Sequence, residues 1–289
     1  MLKKLLKYDM IAIKRVWLLQ AIIVLALSVP CGIALRFIDA EHSDSMMIYE
    51  GLVTMFFVTS IILVALSYFL TKGMVYLHFY KNFFTDEGYL TFTLPVSRKT
   101  LLFSKMTSAM IWSGAQLLVY VLFGAVLLLI APAPARGELL TLAGYRSLGK
   151  LISEVWKYVG AWLILYVMEG LALLALIEAF EIATAYFCIT LGSIVVKKAK
   201  LLLAIGVYYA IQSVLWQFFQ ISVFAYLTPV GFLSATTLIT GIVERLYVAN
   251  CANVGIALVL FIAILVAAAL LLTMYYMTLD KIERKLNLA

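Results

Sequence analysis

Long apolar runs separated by short polar stretches dominate the chain. They predict membrane spans over about 16–38, 52–77, 106–131, 158–196, 201–226 and 254–277. A helix rises about 1.5 Å per residue, so about 20 apolar residues cross a hydrocarbon core of about 30 Å. In lipid every backbone N–H and C=O must be bonded internally, which leaves helices and closed barrels. Barrel strands alternate in polarity over about ten residues. These runs do not alternate, so the predicted fold is all-α: a polytopic membrane bundle of six transmembrane helices, forming one domain over 1–289.

The flanks of the runs carry further expectations. Leu2, Leu5, Leu6, Met10 and Ile13 recur at helical spacing, with Lys3, Lys4, Lys7 and Lys14 mostly on the other side. Residues 1–15 therefore read as an interfacial helix, or equally as a basic flank of the first span. The basic region is long and no small-residue cleavage site follows it, so the first span reads as retained rather than as a cleaved signal. Lys157 and Lys197 bracket 39 residues without Lys or Arg, and neither Gly nor Pro stands near Glu178-Ala-Phe-Glu181 to turn the chain. One long helix is expected there. Residues 131–157, opened by Pro132 and Pro134, and 227–252, broken by Pro229, Gly231 and Gly241, read as segments on the outer side.

Composition agrees with this pattern. Hydrophobic residues make up 65% of the 289 positions and charged residues 13%, against about 45–50% and about 25% in soluble domains. The net charge of +7 would suggest nucleic acid in a soluble protein. Here its distribution matters more. With six spans, 16 of the 22 Lys and Arg residues fall on the side of the two termini. Cytoplasmic loops carry the basic excess, so both ends are expected in the cytoplasm and no nucleic-acid partner is implied. Three cysteines, Cys31, Cys188 and Cys251, and two histidines, His42 and His78, form neither a disulfide framework nor a metal-ligand spacing.

Few motifs suggest chemistry. Gly144-Tyr-Arg-Ser-Leu-Gly149-Lys150 nearly matches a phosphate-binding loop, but Leu151 stands where a magnesium-holding Ser or Thr belongs and no strand precedes it. No catalytic constellation is present, so the chain is not expected to be an enzyme and no cofactor of its own is implied. Glu169, Glu178 and Glu181 lie within the fourth span. Ionisable groups in lipid are costly and usually face an interior or water, so they are candidates for a polar pathway. On an ideal helix Glu169 and Glu178 point to opposite sides, whereas Glu178 and Glu181 lie about 60° apart. Pairing within the bundle, or a position beyond the hydrocarbon, explains them equally simply.

The stretch 79–105 is the most informative. It has a helical first part with the acidic pair Asp86-Glu87, a stop at Leu94-Pro95, and Ser97 placed to cap a helix leading into the third span. The order Glu87-Gly88, Leu94-Pro95, Ser97-Arg98 and then Lys105 before a span resembles the cytoplasmic loop of permease subunits of type-2 exporter-class ABC transporters. The basic amphipathic amino-terminal helix, the six spans and the tail Lys281-Ile-Glu-Arg-Lys-Leu-Asn-Leu288 are similar to those of Gram-positive members; the long segment between spans three and four departs from them. The resemblance implies a non-catalytic subunit of the bacterial cytoplasmic membrane. It implies pairing with a second permease, identical or paralogous, and docking of an ATP-binding subunit that holds ATP and magnesium. Carried over, Asp86, Glu87, Gly88, Tyr89, Leu94 and Pro95 would form the coupling element, with the substrate a peptide, drug or lipid. The alternative is an immunity or sensor protein that binds an antimicrobial peptide or lipid without transport.

Overall fold

In the computed structural model the described residues are 2–37, 47–93, 95–130, 149–150, 153, 156–157, 160–196, 199–227 and 251–285. Their elements are helices: α1 (Leu2–Phe37), α2 (Met47–Phe84), α3 (Asp86–Phe92), α4 (Arg98–Ile130), α5 (Trp162–Val195), α6 (Lys200–Leu227) and α7 (Cys251–Lys285). Five helical stretches are long and apolar enough to cross a membrane: Leu2–Ile33, Val53–Phe84, Arg98–Leu127, Trp162–Val195 and Ala257–Arg284. The chain is thus a multi-pass membrane protein built from helices. Most of the predicted outer segments 131–157 and 227–252 lies outside the described residues.

The chain divides into two compact units, Met1–Tyr158 and Val159–Ala289. In the first, α1 packs on α2 and α4, and α2 packs on α3 and α4. The register follows from pairs of residues. Asp9 meets Lys105, Trp17 meets Trp112, Gln20 meets Gln116, and Gly32 lies against Ile130. Both numbers rise together, so α1 and α4 run parallel. Asp9 meets His78 while Gln20 meets Thr71, so α2 runs antiparallel to α1. Outer faces of this unit, such as Ile22, Ile62 and Leu118, are exposed, as expected of positions that meet lipid.

Two features of the first unit depart from simple spans. α1 continues through residue 15 without a break, so the basic amino-terminal turns and the apolar run are one 36-residue helix. At about 1.5 Å per residue it is about 54 Å long, well beyond a hydrocarbon core of about 30 Å. α2 likewise runs to Phe84 and α4 starts at Arg98, so most of 79–105 is helical. Ser97 caps α4: its Oγ accepts from the Thr100 N–H at 3.3 Å.

In the second unit α5 packs on both α6 and α7. α5 passes unbroken through Glu178 and Glu181, and its helical phase is buried on all sides from Ile182 to Thr190. The hairpin into α6 is tight. A Cβ at Gly192 would lie 2.6 Å from the Lys200 carbonyl oxygen, so only glycine permits this approach of the two backbones.

Candidate functional site

The polar groups of the first unit collect where α1, α2 and α4 meet α3. Asp9 on α1 is 5% exposed and Lys105 on α4 is 8% exposed. Lys105 Nζ donates to Asp9 Oδ1. His78 Nε2 lies 3.1 Å from the same oxygen, and Ser104 Oγ donates to Asp9 Oδ2 at 3.1 Å. One buried carboxylate therefore draws partners from two other helices. A buried charge is tolerated only when paired and bonded in this way.

Asn82, one turn beyond His78 on α2, extends the cluster. With its amide oriented so that both ends are satisfied, its oxygen accepts from Lys105 Nζ at 2.6 Å and from His78 Nε2 at 2.9 Å. Its nitrogen then donates to Glu87 Oε2 at 3.1 Å. Asp9 and Asn82 both offer oxygen to His78 Nε2, so an N–H there would have two acceptors. A cavity of about 170 Å³ adjoins the cluster, lined by Leu5, Tyr8 and Asp9 on one side, Thr91 on another, and His78, Asn82 and Lys105 between.

α3 itself is held by close packing. Gly88 is buried, and its N–H donates to the Thr85 carbonyl at 2.8 Å. Phe83, 1% exposed, stacks at 4.8 Å on Phe79 and meets Phe92 of α3 edge-on at 5.4 Å. The Arg98 guanidinium lies 5.6 Å over the Phe92 ring. A Cβ at Gly88 would come 2.8 Å from the Phe83 carbonyl oxygen, which is backbone and cannot turn aside. Gly88→Ala is thus expected to push α3 off α2 at a cost of about 1–3 kcal/mol. Faster proteolysis between residues 85 and 97, with the rest of the chain intact, would register it; an unchanged cleavage rate would count against the close approach.

Deeper in the unit a second polar group ties the same three helices. Gln20 Nε2 bonds Thr71 Oγ1, and lies 3.3 Å from Gln116 Oε1. Gln116 Nε2 donates to Ser67 Oγ at 3.3 Å, which is 2.8 Å from Tyr120 Oη. Between the two groups the Trp17 and Trp112 rings pack at 4.9 Å. In lipid, such bonds hold helices together where no hydrophobic drive exists, at about 0.6 kcal/mol each.

The residues singled out in the sequence are placed as follows. Glu87 is on α3 with an exposed side chain bonded to Asn82, Gly88 is buried beneath it, and Pro95 is exposed in the bend after α3. Asp86 and Tyr89 belong to α3 by their backbone, and Leu94 lies outside the described residues. On α5, Glu181 Oε1 accepts from Tyr208 Oη at 3.2 Å across to α6. Glu178 is half-buried one turn away, while Glu169 stands nine residues before it, about 13 Å along the helix. Glu169 Oε2 is buried with no hydrogen bond among the described residues. The three glutamates therefore do not form one site on α5. Asp9, His78, Asn82 and Ser104 were not marked by sequence reasoning; a lone acidic residue within the basic turns of α1 was the signal for the first of them. Among the described residues no group of three or more His, Cys, Asp or Glu side chains is placed to hold a metal ion. Compared with known proteins, the chain matches no family model, no curated protein and no solved structure.

Proposed function

We propose that this chain is the membrane-spanning permease subunit of an ABC-type exporter in a bacterial cytoplasmic membrane. The observation that carries the reading is α3: a seven-residue helix set between two spans, packed through Gly88 onto α2 and bonded through Glu87 to the buried cluster. A short helix held on both sides can receive a push from a soluble partner and pass it to the spans. In this reading α1, α2, α4, α5, α6 and α7 are six spans. The 16 basic residues on the side of the termini support a cytoplasmic position for α3 and both chain ends. Glu87 and Gly88, with Asp86, Tyr89, Leu94 and Pro95 around them, form the docking element for an ATP-binding subunit that holds ATP and magnesium. A second permease, identical or paralogous, completes the complex, and ATP-driven closure of the partner shifts the balance between two arrangements of the spans. The cargo is a peptide, drug or lipid.

Reconstitution in proteoliposomes with ABC ATP-binding subunits from the same organism tests this. Co-purification with one of them, and ATP hydrolysis faster than that of the soluble subunit alone, is the expected result. Binding of peptide or lipid with no such subunit retained would instead support an immunity or sensor protein.

A further inference from the structure

The cavity beside Asp9 separates α1 from α3: Leu5 and Tyr8 line one wall and Thr91 another. A polar chain links them. Asp9 of α1 bonds to His78, Ser104 and Lys105, all on α2 and α4. Lys105 and His78 bond to the Asn82 oxygen, and the Asn82 nitrogen bonds to Glu87 of α3. An isolated seven-residue helix is far too short to be stable alone, so α3 takes its orientation from whatever holds it. Gly88 against Phe83, and Phe92 between Phe83 and Arg98, fix its packed side; Glu87 adds a polar hold through Asn82.

We infer that Asn82 and Lys105 are positioning residues for Glu87, and that through them the amino-terminal helix α1 sets the orientation of α3. The chain of bonds is directional. A primary amide has one accepting end and one donating end. Asn82 can bridge an ammonium at position 105 to a carboxylate at position 87. With positions 105 and 87 at its two ends, a carboxylate at 105 would either face the amide oxygen or draw the nitrogen away from Glu87. The sign of charge at 105 therefore decides whether Glu87 is held, and Asp9 stabilises that sign from α1.

This inference is independent of the identity of any partner and is tested on the full chain in lipid nanodiscs without one. Leu90 is 69% exposed on α3 and accepts a nitroxide after Leu90→Cys, in a chain whose native cysteines are replaced by Ala. In the parent the spectrum is expected to show the restricted motion of a surface site on an ordered helix. Asn82→Leu keeps the branched shape and the Asp9–Lys105 pair, so the thermal midpoint stays close to the parent's while the Leu90 label becomes more mobile. Exchanging the charges, Asp9→Lys with Lys105→Asp, re-forms the pair and recovers the midpoint lost in Asp9→Asn, yet leaves the label mobile. An unchanged label spectrum in Asn82→Leu overturns the inference, and so does a charge exchange that restores both the midpoint and the restricted motion of the label. If the exchanged chain fails to fold, Asn82→Leu alone decides. Failure here would leave the exporter reading standing, and failure of that reading would leave this linkage standing.

Discussion

Lys105→Met is expected to destabilise the amino-terminal unit by about 3–5 kcal/mol, more than any other single substitution among the groups described above. The reason is what remains rather than what is lost. Met fills a similar volume and keeps the contacts of the Lys stem, but Asp9 is then a buried carboxylate with only His78 and Ser104 to bond it. The same logic makes the double change Asp9→Leu with Lys105→Met milder than either single change, because no uncompensated charge is left behind. Thermal unfolding in a mild detergent, followed by tryptophan fluorescence of the Trp17–Trp112 pair, measures both. If the double variant is as unstable as Lys105→Met, the buried pair is not the source of the effect.

Glu87→Lys is expected to abolish co-purification with an ATP-binding subunit and the stimulated ATP hydrolysis, without loss of membrane insertion. The substitution acts twice. It places an ammonium where the Asn82 nitrogen donates, leaving two donors facing each other. It also reverses the charge that α3 presents at its exposed surface. Reversal of one charge at a docking surface weakens association at least tenfold, about 1.4 kcal/mol, and the loss of orientation adds to it. Insertion depends on the apolar runs and is untouched. Normal recovery of the ATP-binding subunit with this variant would refute a docking role for α3.

How much of this could be read from the chain depends on the range of the interactions. Five of the predicted spans were legible because each is a continuous apolar run, a local property. The stretch 79–105 was read as a coupling loop with a helical first part and a helix opening after Ser97, and it holds the end of α2, all of α3 and the start of α4. His78, Lys81 and Asn82 break the apolar run there, yet Phe79 and Phe83 keep one buried face across them. Similarly Leu101, Leu102, Ser104 and Lys105 are buried although they precede the apolar run. Amphipathic ends of a membrane helix bury their inner face against neighbours, and hydropathy averaged over both faces hides this. Ser97 and Gly88 were legible as a cap and part of a pattern, since both act on residues within five positions. The cluster was not. Asp9 finds His78 69 residues away and Lys105 96 residues away. Nothing local distinguishes an aspartate destined for burial from one left on a basic, water-facing helix.

That separation has a consequence for how the protein is made. The ribosome delivers Asp9 first and Lys105 96 residues later. At synthesis rates of about 5–20 residues per second, roughly 5–20 s pass before the carboxylate meets its ammonium. Until then the carboxylate has His78, delivered 69 residues after it, to meet. The polar cluster around Asp9 is therefore complete only when Lys105 arrives.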